Sequence, residues 1–181
     1  MNITVFLASS DGRDPEIRRA LAELAAWIGD RGHTLIYGGS RIGLMGVLAE
    51  TAKAHGARVI GIEPRFFVEA CVQFDGADEL IVTEDMAERK DRLIRMAVAV
   101  VVFPGGAGTL EEFGQTLSML NLGHADLRCA VYNVRGFYDD LKRMLAKMAD
   151  AGFLSRDTLS RIAFPDTLEA LAAAVGDPAR P

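Results

Sequence analysis

The chain is poor in cysteine, histidine and positive charge. Its two cysteines, Cys71 and Cys129, and its three histidines share no metal-ligand spacing, so no zinc or other metal site can be read from them. Both cysteines have apolar neighbours and are expected to be reduced and structural, while His33, His55 and His124 are expected at the surface. Lysine and arginine number 20 against 25 aspartates and glutamates, a net charge of -5. That balance removes any general pull toward a nucleic acid polymer, so a recognised phosphate must be held by local donors. Hydrophobic runs are too short to cross a bilayer. The N-terminus enters the strand-like run Ile3-Thr4-Val5-Phe6-Leu7 without a basic leader, and the expectation is a cytoplasmic protein without membrane contact. There is no low-complexity linker and no internal repeat.

What is present is core-forming material. A chain of 181 residues, 50% hydrophobic and 25% charged, suits one folded domain over residues 1–181. Short runs rich in β-branched residues alternate with longer segments of helical period. This pattern implies the α/β class: an open parallel sheet joined by crossover helices. Strands are expected from Ile3 to Ala8, Thr34 to Tyr37, Arg58 to Ile62, Glu79 to Val82, Val98 to Phe103 and Arg128 to Tyr132, with a short one near Arg161 to Phe164. Helices are expected over Pro15 to Arg31, Leu44 to His55, Met86 to Ala97, Thr109 to Leu122, Tyr138 to Ala151 and Thr167 to Val175. In the first, Ile17, Leu21, Leu24, Ala25 and Ile28 recur on one face and Pro15 suits the opening turn.

An open parallel sheet binds ligands beyond the carboxyl ends of its strands. Three loops belong there: Ala8 to Gly12, Gly38 to Gly43 and Pro104 to Thr109. In the third, Gly105, Gly106 and Gly108 allow positive φ and close ligand approach, and the helix that follows offers unpaired N–H groups to a phosphate. Thr109 and Glu112 have the spacing of a capping box, which competes with a functional role for Glu112. Glu111 beside it exceeds what a cap needs, so one of the two carboxylates is free to face the cleft. After the fourth strand, Arg89 lies one turn beyond Asp85. The two either form a solvated i, i+4 pair, or Arg89, misplaced near a helix start, answers an anionic ligand or a facing carboxylate. Arg41, inside a glycine loop, is either a functional residue or a solvated one; Trp27 is read as a partly buried helix residue, and Met45, Met86, Met96 and Met119 as core fillers.

Together these motifs resemble the LONELY GUY family, cytokinin riboside 5′-monophosphate phosphoribohydrolases often labelled lysine decarboxylases. The signature PGGxGTxxE is complete from Pro104 to Glu112. Gly38 to Gly46 resembles GGGxxGLMG with Ser40 for the third glycine, and Ser9 to Gly12 resembles GSSxG. The resemblance runs from the first strand to Gly152-Phe153-Leu154-Ser155. It implies a dimeric Rossmann-like enzyme that hydrolyses the N-glycosidic bond of a nucleoside 5′-monophosphate, with no metal and no cofactor. Arg89, from the family's MHxRK, and Glu112 are the implied catalytic pair. Ser9, Gly39, Met86, Lys90, Gly105, Gly106, Gly108, Thr109 and Glu111 are the implied substrate contacts. Ala87, Met119, Asn121 and Ala125 depart from the commoner His, Trp, Gln and His and are expected on the base and dimer side of the pocket. Replacing Glu112 by Ala is expected to abolish most turnover and leave folding nearly intact. The competing class is a non-catalytic carrier of a nucleotide or of the molybdenum cofactor. A phosphoribohydrolase of ordinary purine or pyrimidine monophosphates is a third reading.

Overall fold

In the computed structural model, which describes residues 1–176, all the expected strands form and join one parallel sheet. They are β1 (Asn2–Phe6), β2 (Thr34–Tyr37), β3 (Arg58–Pro64), β4 (Glu79–Thr83), β5 (Ala99–Val102), β6 (Arg128–Val131) and β7 (Ile162–Ala163). The sheet order is β4-β3-β2-β1-β5-β6-β7. The chain therefore builds outward from β1, then returns to add β5 on its other side. That reversal, between β1 and β5, is where an open α/β sheet leaves a crevice.

The strands read as continuous apolar runs because both faces are covered. Ile3, Val5, Leu35, Tyr37, Val59, Val101 and Phe103 face one core, covered by α1 (Pro15–Asp30), α2 (Gly43–Ala54) and α8 (Leu168–Ala174). Phe6, Ile36, Ile60, Ile62, Val100, Val102 and Val131 face the other, under α4 (Met86–Arg95), α5 (Ala107–Asn121) and α6 (Asp139–Asp150). The five apolar positions expected on one face of α1 do pack inward, with Leu21, Leu24, Ala25 and Ile28 fully buried. Asp14 caps that helix by accepting from the Glu16 N–H at 2.9 Å.

Two short helices, α3 (Arg65–Glu69) and α7 (Arg156–Ser160), were not expected from the sequence. At five residues each they are too brief to show a 3.6-residue period. Two expectations about single residues are corrected. Cys71 is exposed with φ of 54°, and only Cys129 is a buried core thiol. His33 is buried, with its ring edge-on to Trp27 at 5.1 Å, because the turn after α1 folds it back under that partly buried tryptophan. No helix among the described residues is long and apolar enough to cross a membrane. The expected domain also takes in 177–181, which lie outside the described residues.

Candidate active site

The three loops expected at one rim do meet there. Loop β1–α1 contributes Ser9 and Ser10, loop β2–α2 contributes Gly38, Ser40 and Ile42, and the end of loop β5–α5 with the first turn of α5 contributes Gly106 to Thr109, all lining two adjoining cavities. The first, about 360 Å³, is walled by Ser9, Met86, Arg89, Lys90, Gly106, Gly108, Thr109, Glu111 and Glu112. The second, about 230 Å³, is walled by Gly38, Ser40, Ile42, Glu63, Val72 and Arg89. Ser9, Met45, Phe67 and Arg89 belong to both. Loop contact is close: a Cβ at Gly43 would collide with the Ser9 carbonyl.

Helix α5 starts earlier than its sequence pattern suggested. Gly106 is the N-cap and no side chain caps this end, so Thr109 is the third helical residue. This corrects the capping-box reading: Glu111 and Glu112 fall in the second turn, beyond reach of the helix-start N–H groups. The first turn carries no acidic residue, so its partial positive charge meets no competing carboxylate of its own. The expectation of positive φ at Gly105, Gly106 and Gly108 is also corrected, since none of them adopts it. Their smallness serves space instead. A Cβ at Gly105 would strike the Thr109 side chain, while Gly106 and Gly108 have nothing within 4 Å of that position. Gly105 itself is not in the cavity wall.

Arg89 is the hub of the site. Asp85 does not pair with it; Asp85 caps α4 by accepting from the Ala87 and Glu88 N–H groups. Instead Arg89, only 5% exposed, reaches inward, donating through Nε to the Ile62 carbonyl at 2.9 Å and through Nη1 to Glu112 Oε1 at 3.1 Å. The facing carboxylate that a cation at a helix start requires is thus Glu112, delivered from α5. Glu112 is 8% exposed, and burial pushes its carboxyl above the usual range while Arg89 pulls it back. Because removing one partner of a buried pair strands the other charge, the geometry argues that Glu112→Ala should cost stability as well as turnover. One turn-face outward, Lys90 pairs with Glu111 at the rim.

The glycines of the second loop make room for this hub. A Cβ at Gly38 would collide with the Arg89 guanidinium, and one at Gly39, whose φ is +86°, would collide with Glu63. Gly39 is therefore a wall behind the second cavity rather than part of its lining.

Glu63 escaped the sequence reading. It is 1% exposed, its Oε2 has no hydrogen-bond partner, and burial raises its carboxyl to about 7 against the opposing pull of Arg89. The available signal was an acidic residue inside the otherwise apolar run Val59-Ile60-Gly61-Ile62-Glu63, near a strand's carboxyl end. The four departures from the family pattern lie elsewhere. Ala87, Met119, Asn121 and Ala125 line neither cavity; Met119 and Ala125 pack on the core, and Asn121 accepts from the Thr158 hydroxyl at 3.0 Å. Among the described residues no group of three or more His, Cys, Asp or Glu is placed to hold a metal.

A protein-family model described as "Possible lysine decarboxylase" matches residues 45–175. Among curated relatives, the cytokinin riboside 5′-monophosphate phosphoribohydrolase of Mycobacterium marinum is 36% identical over 92% of this chain and 89% of its own. The enzyme of that name from Rhodococcoides fascians is 33% identical over 98% of this chain and 90% of its own. Among solved structures, the molybdenum cofactor carrier protein of Chlamydomonas reinhardtii superposes with a TM-score of 0.70 at 21% identity, covering 96% of this chain and 94% of that one. The molybdenum cofactor binding protein of Rippkaea orientalis gives 0.68 at 19%, covering 95% and 93%. At such identities those structures speak for the fold alone. Sequence relatedness over nearly the whole length makes the chain a member of the LONELY GUY family of cytokinin riboside 5′-monophosphate phosphoribohydrolases.

Proposed function

We propose that this enzyme, a phosphoribohydrolase by its relatedness, hydrolyses the N-glycosidic bond of a nucleoside 5′-monophosphate, an adenine or cytokinin nucleotide, to free base and ribose 5-phosphate. The observation that carries the reading is the buried Arg89–Glu112 pair beside an uncapped helix start that carries no acid in its first turn. The 5′-phosphate would sit on the N–H groups of Gly106 to Thr109, with the Thr109 and Ser9 hydroxyls and Lys90 at its edge. Breaking a ribosyl C–N bond builds positive charge on the sugar. A fixed carboxylate stabilises that charge and orients the attacking water. Glu112 takes this role. Arg89 holds the carboxylate in place, and Glu111 keeps Lys90 positioned at the rim.

Binding is completed by Met86 along the first cavity. Gly39 and Gly105 contribute by leaving space for their neighbours. A homodimer is part of the same proposal, with α5 at the two-fold; its Leu110 is 55% exposed and Leu122, just past its end, is 64% exposed. Light scattering on the purified protein checks the assembly. The activity is tested by incubating the protein with AMP, other nucleoside monophosphates and isopentenyladenosine 5′-monophosphate, then resolving free base by chromatography. Release of base with ribose 5-phosphate is the expected result. No release from any of them, with retained nucleotide binding, would make the chain a carrier.

A further inference from the structure

Glu112 has Arg89 as its partner. Glu63, which lines the second cavity with Arg89 and feels the same guanidinium, lacks one at Oε2. Two buried carboxyls thus share one buried cation, and a site that holds both charges would carry an unbalanced negative charge away from water. The low-energy arrangement ionises the carboxyl that the guanidinium bonds and leaves the other protonated. Paired carboxyls with environments that push them apart are how one site supplies both an acid and a base.

Position gives that proton a destination. Glu112 lines the first cavity and Glu63 the second, with Arg89 shared between them. A nucleotide laid with its phosphate on the start of α5 and its ribose at Arg89 and Glu112 puts its base into the second cavity. At about 230 Å³, between Met45, Phe67, Ile42 and Val72, that cavity has the size and apolar walls for a heterocycle. Glu63 is its one acidic wall.

We propose that Glu63 is a second catalytic residue, the general acid that protonates the departing base. This rests on the phosphoribohydrolase reading above. The C1′–N bond breaks with its electron pair passing into the base, and Glu63 delivers its proton to a ring nitrogen, so the base leaves neutral. Water adds its oxygen to C1′ and yields one proton to Glu112. Glu112 then releases that proton to solvent while Glu63 takes one up, and the sum is nucleotide plus water giving base plus ribose 5-phosphate. Without an acid the base would have to leave as an anion in an apolar cavity.

The groups facing Glu63 are Arg89 from α4 and the Tyr37 hydroxyl from β2, itself without a hydrogen-bond partner, with Glu50 of α2 acting on Tyr37 and Glu112 acting through Arg89. The test compares wild type with Glu63→Gln on AMP and isopentenyladenosine 5′-monophosphate, recording kcat, KM and rate against pH. Wild type should show a bell-shaped profile whose basic limb reports Glu63. Glu63→Gln should lose on the order of 10²-fold in kcat with KM within about threefold, and lose the basic limb while keeping the acidic one. A purely structural role would not remove one limb selectively. A wild-type rate that does not fall on the basic side overturns the assignment, whether or not the variant folds, as does a variant with unchanged kcat. If wild type releases no base from any nucleotide, the hydrolase reading itself fails and the acid role falls with it.

Discussion

Helices α4 and α5 are cross-linked twice by neighbouring residues, and the two links differ in kind. Arg89 and Glu112 meet where their side chains are 6% and 10% exposed, and Lys90 and Glu111 where theirs are 15% and 61% exposed. The residue chemistry is nearly the same. In the outer pair water already solvates Glu111, so the contact gains little over the separated charges. The inner pair has lost its water, so each member depends on the other and on the Ile62 carbonyl for compensation. Sequence adjacency therefore says little about importance. A helix turn of about 100° between neighbours separates a replaceable rim contact from the centre of the site.

The largest separation of the two pairs should come from Glu112→Gln, which keeps shape and removes charge. Turnover should fall by about 10²- to 10⁴-fold, measured as base release, while Glu111→Gln stays within a few fold. Equal losses from both would erase the distinction. Next comes Gly38→Ala. The new methyl displaces the Arg89 guanidinium without touching the outer pair, and misplacing a catalytic group by about 1 Å costs on the order of 10²-fold. Steady-state kinetics measures the loss, and an unchanged kcat would remove Gly38 as the spacer that positions Arg89.

Stability against pH gives a third contrast. Glu63 binds its proton more tightly folded, at about 7, than unfolded, at 4.5. Between those values the native state holds more protons, so stability falls as pH rises from about 4.5 through about 7. Glu112 is raised as well and works in the same direction. Thermal melts should show that slope for wild type and a shallower one for Glu63→Gln; identical slopes would remove Glu63 as its source. The smallest effect belongs to the rim. Lys90→Ala with Glu111→Ala in a double-mutant cycle should show a coupling of about 0–1 kcal/mol, readable by denaturant melts and weakened further by salt.

Much of the fold was legible because periodicity reports burial. The strand Thr34–Tyr37 and the inward face of α1 follow directly from apolar spacing. Helix α5 was misplaced by two residues at its start, since the glycines and Thr109 look alike as loop or as first turn. That small shift decided whether Glu112 caps a helix or meets Arg89. Glu63 was hidden for a different reason. One acid ending an apolar strand looks like a solvated terminus until α4 and the loop after β2 close over it.

The sequence by itself determined the alternation of strands and helices, the three loops at the sheet's carboxyl edge, and that an Arg near one helix start and two carboxylates near another were out of place there. Those are local properties, set by spacing and by the chemistry of single side chains. Only the tertiary structure decided which carboxylate Arg89 would face, that Gly38 and Gly39 exist to make room for Arg89 and Glu63, and that a second carboxyl is buried without a partner. Each of these depends on distances between β3, α4 and α5, elements separated along the chain and brought together by closing the sheet. Burial and desolvation, which push the carboxyls of Glu63 and Glu112 upward, arise only when those elements pack.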